Sequence, residues 1–176
     1  MENEILDLVN EKDEVIGTID RKQVYDNNIH NVRVIGIFII DAEGLILVQR
    51  RSPYRRYCPN GYDFSVAGHV LSGESYEEAA FREANEELGI QISDIKEFLY
   101  CGYPNKYGLA FFSKYYIASC PNKNLIRLNK DESSKIEFLS IEAINDKLTK
   151  NPDMFKSDYE PAFREFCKYI YINKAN

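Results

Sequence analysis

Residues 68–90 read GHVLSGESYEEAAFREANEELGI, and the rest of the chain is arranged around them. Ser75 and Glu78 have the Ser-x-x-Glu spacing of a capping box, which satisfies the orphan amides of a first helical turn. Gly89 supplies the stop. Between these signals Glu83, Glu86 and Glu87 fall at i, i+3 and i+4, so their carboxylates share one face of the predicted helix. Tyr76, Ala80, Ala84 and Leu88 recur every four residues on a neighbouring stripe suited to packing against a sheet. Three carboxylates this close repel one another unless a cation stands among them. Hard oxygen donors, with no thiol or imidazole on that face, suit Mg²⁺ or Mn²⁺ rather than zinc. The plain alternative is a solvated acidic face on a surface helix.

The spacing separates these two readings. The stretch resembles the signature of the Nudix hydrolase family, G-x5-E-x7-R-E-U-x-E-E-x-G-U with U apolar. Gly68, Glu74, Arg82, Glu83, Ala84, Glu86, Glu87, Gly89 and Ile90 match it position by position. Ala84 is smaller than the apolar residue usual there. Seven fixed identities at about 7% usage each coincide by chance roughly once in 10⁸ trials. The resemblance implies an α/β/α sandwich with a mixed β-sheet and the box as a loop–helix–loop at its edge. It also implies hydrolysis of a diphosphate linked to an organic group. Glu83, Glu86 and Glu87 would be metal ligands, with the Gly68 carbonyl added. Arg82 would orient the carboxylates together with Glu74; the ordinary alternative is a helix salt bridge. Glu86, Glu87 or a carboxylate outside the box would take the proton from water, and Glu132 is the outside candidate.

The chain has 176 residues, 44% hydrophobic and 28% charged, which fits one domain able to bury its own core. A net charge of −6 argues against a nucleic-acid polymer or a membrane surface as partner, since both repel an acidic protein. Cys58, Cys101, Cys120 and Cys167 are widely spaced and read as reduced thiols. The acidic start, Met1-Glu2-Asn3-Glu4, does not resemble a signal peptide, and no apolar run approaches membrane-spanning length. A cytoplasmic enzyme acting on a small-molecule diphosphate is expected, with its oligomeric state left open.

Outward from the box, residues 4–9 and 14–19 predict a hairpin around a polar turn, so that 1–28 forms an N-terminal extension. Residues 20–28 predict a short helix or linker. NVRVIGIFII (31–40) predicts a central strand, and LILVQR (45–50) a strand pairing back on it. FSVAG (64–68) delivers Gly68. Residues 95–103 and 109–119 predict two strands joined by a turn, and 135–140 a last one. Residues 141–150 and 161–172 have helical periodicity. Strands with helices on both faces predict a mixed sheet sandwich.

An acidic helix alone repels a diphosphate, so cations must come from elsewhere. Arg50, Arg51, Arg55 and Arg56 lie at the strand end and in the loop before the box, and Arg51 and Arg55 are the expected phosphate contacts. Tyr54, Tyr57, Tyr62, Tyr103 and Tyr107 are candidates to stack on a base, with core packing as the ordinary alternative. DLVNEKDEVIG (7–17), QRRSP (49–53), Pro59, Asp63 and GHVLSGES resemble the branch of the family related to isopentenyl diphosphate isomerase. That resemblance implies a cysteine before the box glycine, three histidines and a Glu-x-Glu pair. Here Ala67 precedes Gly68, the chain has only His30 and His69, and no Glu-x-Glu follows Tyr100. Isomerase chemistry is therefore disfavoured. The two histidines read more readily as hydrogen-bonded structural residues than as ligands, and a non-catalytic nucleotide-binding module is a further alternative.

Overall fold

A computed structural model describes residues 4–102, 111–120 and 122–174. β1 (Ile5–Val9) and β2 (Val15–Asp20) form the N-terminal antiparallel hairpin, and α1 (Arg21–Asp26) starts where Asp20 accepts from the Lys22 amide. Seven strands make the main sheet: β3 (Arg33–Ile40), β4 (Ile46–Arg51), β5 (Tyr62–Asp63), β6 (Val66–His69), β7 (Ile95–Cys101), β8 (Phe112–Ser119) and β9 (Ser133–Leu139). α2 (Tyr76–Leu88) covers one face; α3 (Ile141–Lys150) and α4 (Tyr159–Lys174) cover the other. The expected α/β/α sandwich with a mixed sheet is what the chain forms, β3 and β8 pairing in parallel and the other pairs antiparallel.

Alternation along β3 explains the two layers. Ile35, Ile37 and Ile39 face α2 and pack with Ala80, Ala84 and Leu88. Phe38 faces α4, its ring 5.3 Å from Phe64, 5.6 Å from Tyr159 and 4.7 Å from Phe166. No helix among the described residues is long and apolar enough to cross a membrane.

One pairing differs from the sequence expectation. β4 touches β3 only at Ile40–Ile46, then diverges to pair with β9 and β5, while β6 takes the place beside β3. Ser65, fully buried, stands in the fork. Ile39 N donates to its hydroxyl at 2.8 Å, and the hydroxyl donates to the Leu47 carbonyl. One side chain thus satisfies an amide of β3 and a carbonyl of β4 where those two strands separate. The turn expected between β7 and β8 lies outside the described residues, as do Tyr103 and Tyr107.

The hairpin is fastened to the loop that precedes α2. Leu6 bridges Leu71, and Asp7 accepts from the Ser72 hydroxyl at 2.7 Å and the Gly73 amide at 3.2 Å. Asp13, at φ +63°, accepts from Arg33 Nε at 2.6 Å and the Tyr76 hydroxyl at 2.8 Å. Removing the Asp13 carboxylate deprives the part-buried Tyr76 phenol of its acceptor and, among the described residues, leaves Arg33 only the Asp13 backbone carbonyl and Asp7 at 4.0 Å. Asp13→Ala is expected to lower unfolding stability by about 2–4 kcal/mol in urea titrations. Asp13→Asn, which tolerates the left-handed turn, should lose less; equal stability of Asp13→Ala and the parent contradicts the clamp.

Candidate active site

α2 begins with both halves of the capping box in place: Ser75 Oγ accepts from Glu78 N at 3.2 Å and Glu78 Oε2 from Ser75 N at 2.8 Å. Gly89 ends it at φ +62°. Because Tyr76, Ala80, Ala84 and Leu88 are drawn into the core, the residues flanking that stripe are carried inward with it. Glu87 is 8% exposed and the Glu83 side chain 13%, while the Glu86 side chain stays 54% exposed. Gly68, opposite Ile35 in the β3–β6 ladder, leaves room for this. A Cβ at Gly68 would lie 1.9 Å from Glu83 Oε1, so only glycine lets the carboxylate rest against the strand.

Arg82 ties the cluster together. It contacts Glu74 at 2.8 and 3.1 Å, Glu83 at 2.8 Å, Glu86 at 3.1 Å and the His69 carbonyl at 2.8 Å. Glu87 turns the other way and accepts from Gln49 Nε2 at 2.5 Å. Among the described residues no three His, Cys, Asp or Glu side chains are gathered around one point, because Arg82 stands between Glu83 and Glu86. Burial nonetheless sets the chemistry. It raises Glu83 to about 7, outweighing the pull of Arg82. It raises Glu87 well above the usual carboxylate range, helped by the charges of Glu83, Asp63 and Glu132 and opposed only by Gln49. A pair of buried carboxylates with raised proton affinity, an exposed third one a turn away and a bare glycine backbone make an all-oxygen donor set. That set fits a hard divalent cation once Glu86, the most exposed of the three, exchanges its Arg82 contact for the ion.

The basic residues are placed differently from one another. The Arg51 guanidinium is tied to Asp63 and donates to the Tyr57 carbonyl at 2.9 Å. Arg55 pairs with Glu132 at 2.6 Å, which brings Glu132 to the mouth of the fork near Glu87. Arg50 points away, its guanidinium 4.1 Å above the Tyr62 ring, and Arg56 pairs with Asp26 at 3.8 Å. Of the tyrosines, Tyr54 is almost fully exposed, Tyr57 packs on Tyr25 at 5.2 Å, and Tyr62 stacks on Phe155 at 4.7 Å.

His69 Nε2 lies 3.2 Å from the Tyr25 hydroxyl, and its Nδ1 is buried with no partner among the described residues. Burial, reinforced by Arg21, Lys156, Arg55 and Arg82, holds its pKa well below the ordinary value, so the ring is neutral. His30 and His69 stand on either side of Phe111, at 6.2 and 5.8 Å. A cavity of about 580 Å³ lined by Val9, Asn10, Ile16, Asn31 and Phe112 lies beside the hairpin and contains none of the box glutamates.

Sequence reasoning missed Gln49, Asp63, Tyr25 and the Lys156–Asp158 pair. Alternation along β4 was a usable signal for Gln49, which falls on the same face as the buried Leu47. Nothing local marks Lys156, which reaches this region from the segment before α4.

Comparison with known proteins agrees with this geometry. A sequence model of the NUDIX domain matches residues 30–163. The chain is 41% identical over 115 residues to an uncharacterised Nudix hydrolase of Nostoc, covering 64% of this chain and 68% of that one. It is 31% identical over 156 residues to the prenyl-diphosphate phosphatase of Methanosarcina mazei, covering 87% and 86%. The crystal structure of DR0079 from Deinococcus radiodurans superposes with a TM-score of 0.81 at 34% identity, over 92% of this chain and 98% of that one. With the box, the sandwich and these relatives in agreement, the chain belongs to the Nudix hydrolase family, hydrolases of diphosphate-containing substrates.

Proposed function

We propose that this enzyme is a Mg²⁺-dependent pyrophosphohydrolase (Mn²⁺ substituting) whose substrate is a nucleoside di- or triphosphate or a related nucleoside diphosphate derivative. The observation that carries the reading is the burial of Glu83 against Gly68 and of Glu87 beside Gln49, with Glu86 on the same helix face. That arrangement is costly without a cation and serves no packing purpose that leucine would not serve better. Glu83, Glu86 and Glu87 would hold the ion, with the Gly68 backbone. When bound, a divalent ion neutralises the diphosphate and lowers the pKa of the attacking water.

The chain's own residues do the rest. Arg82 holds Glu83 and Glu86 in position through its contacts to Glu74 and the His69 carbonyl. The water's proton passes to one of Glu86, Glu87 or Glu132. The water oxygen bonds to phosphorus as the anhydride P–O bond breaks, and the leaving group departs as a phosphate. The reading treats the hairpin as part of one catalytic domain, supported by the Asp7 and Asp13 contacts, and the cytoplasm as its compartment, supported by four cysteines present as thiols. A second reading is a prenyl diphosphate as substrate, favoured by the similarity to the Methanosarcina mazei phosphatase over most of both chains.

A panel of nucleotides, nucleotide sugars, dinucleoside polyphosphates and isoprenoid diphosphates distinguishes these substrates. Release of phosphate or pyrophosphate should require Mg²⁺ or Mn²⁺ and fall on the order of 100-fold or more in Glu86→Gln and in Glu87→Gln. Full activity in either variant rejects the assigned roles.

A second outcome concerns stability. With Glu83 raised to about 7 and Glu87 raised well above its ordinary value, folding takes up protons above the ordinary carboxylate pKa of about 4.3. Metal-free protein should therefore lose about 1–3 kcal/mol as pH rises from 5.5 to 8. Glu87→Gln should flatten that slope, and Mg²⁺ should restore stability at pH 8, all read from melts in chelator and in Mg²⁺. A slope unchanged by both the substitution and the ion counts against a cation at this cluster.

A further inference from the structure

We propose that Lys156, on the segment joining α3 to α4, is the side chain that receives a phosphate oxygen of the substrate. The inference rests on the hydrolase reading above and replaces the expectation that Arg51 and Arg55 do so. Placement comes first. Gln49 and Asp63 are partners in the β4–β5 ladder, so their side chains lie on one face. Gln49 reaches Glu87 from that face, and Lys156 Nζ stands 3.8 Å from Asp63. Asp63 and Gln49 thus stand between the lysine and Glu87, the most buried glutamate of the box. Its backbone is fixed there: Lys156 N donates to the Tyr62 carbonyl at 3.0 Å, and Phe155 bridges Tyr62 in parallel, adding the segment to the edge of β5.

The state of its charge decides the choice. Each arginine near the cluster already holds a close acceptor: Arg51 is tied to Asp63, Arg55 meets Glu132 at 2.6 Å, and Arg82 meets Glu74 and Glu83 at 2.8 Å. Among the described residues, Lys156 has carboxylates only at 3.4 Å (Asp158) and 3.8 Å (Asp63). Charge-assisted N–H···O bonds run about 2.7–2.9 Å, so its ammonium is held as a cation by these neighbours without being satisfied by them. The side chain is 32% exposed, enough for a ligand to reach it. Asp158 approaches the ammonium with Oδ2 at 3.4 Å, while its Oδ1 is buried with no hydrogen-bond partner among the described residues. An ammonium on a flexible stem suits a phosphate oxygen whose position shifts during hydrolysis, where a fixed guanidinium fork would not.

The test uses the full chain and two probes. Inorganic pyrophosphate with Mg²⁺ is titrated by calorimetry into the unmodified protein, Lys156→Met and Lys156→Arg. Steady-state kinetics are then measured on a diphosphate that the unmodified protein cleaves. Lys156→Met should weaken pyrophosphate binding and raise KM by about tenfold or more, with kcat within a few-fold, and Lys156→Arg should recover part of the loss. Should Lys156→Met fail to fold with Asp158 left without its cation, Lys156→Met combined with Asp158→Asn is read in the same assays. Unchanged KM and pyrophosphate affinity in a folded variant overturn the role of Lys156 and leave the hydrolase reading standing. An unmodified protein that cleaves no member of the panel overturns both.

Discussion

A carboxylate buried against a β-strand must have a proton, a cation or a set of donors beside it, and Glu83 and Glu87 have too few of these. The constraint begins with helix geometry. Once Ala80, Ala84 and Leu88 are taken into the core, the flanking positions follow, whatever side chains they carry. Gly68 then decides how close Glu83 comes to the strand, and Arg82 supplies the positive charge in the absence of an ion. The site is therefore frustrated by construction, as catalytic sites tend to be where local rules of burial are broken.

The sheet makes room for this arrangement. A regular β3–β4 hairpin would have placed Gln49 and Asp63 far from α2. The fork at Ser65 sends β4 away from β3 and inserts β6 beside it, so that the box glycine and the Gln49 face open toward one another. A single buried hydroxyl, donating to one strand and accepting from another, makes the divergence tolerable. The hairpin of the N-terminal extension then closes on the loop before α2 through Asp7 and Asp13, fixing the entry to the helix.

Much of this was legible before the fold was known. The capping box, the stop at Gly89, the buried stripe of α2 and the alternation of β3 are local patterns whose physical meaning does not depend on distant residues. How the cations are paired was not legible. Arg51 and Arg55 look suitable because they are basic and precede the box. Their availability, however, depends on Asp63 and Glu132, whose proximity arises only when β4, β5 and β9 pair. Tyr25 against His69, and Lys156 against Asp63, join residues far apart in sequence, and no periodicity records such a meeting.

By itself, then, the sequence determined the helix, its glutamate face, the layered sheet and the family, because spacing along a helix or strand dictates which side chains share a face. The tertiary structure alone decided which glutamates are buried, which arginines are already paired, and where β4 leaves the sheet. Those outcomes turn on desolvation and on charge pairs a few ångströms apart, and both depend on which segments the fold brings together.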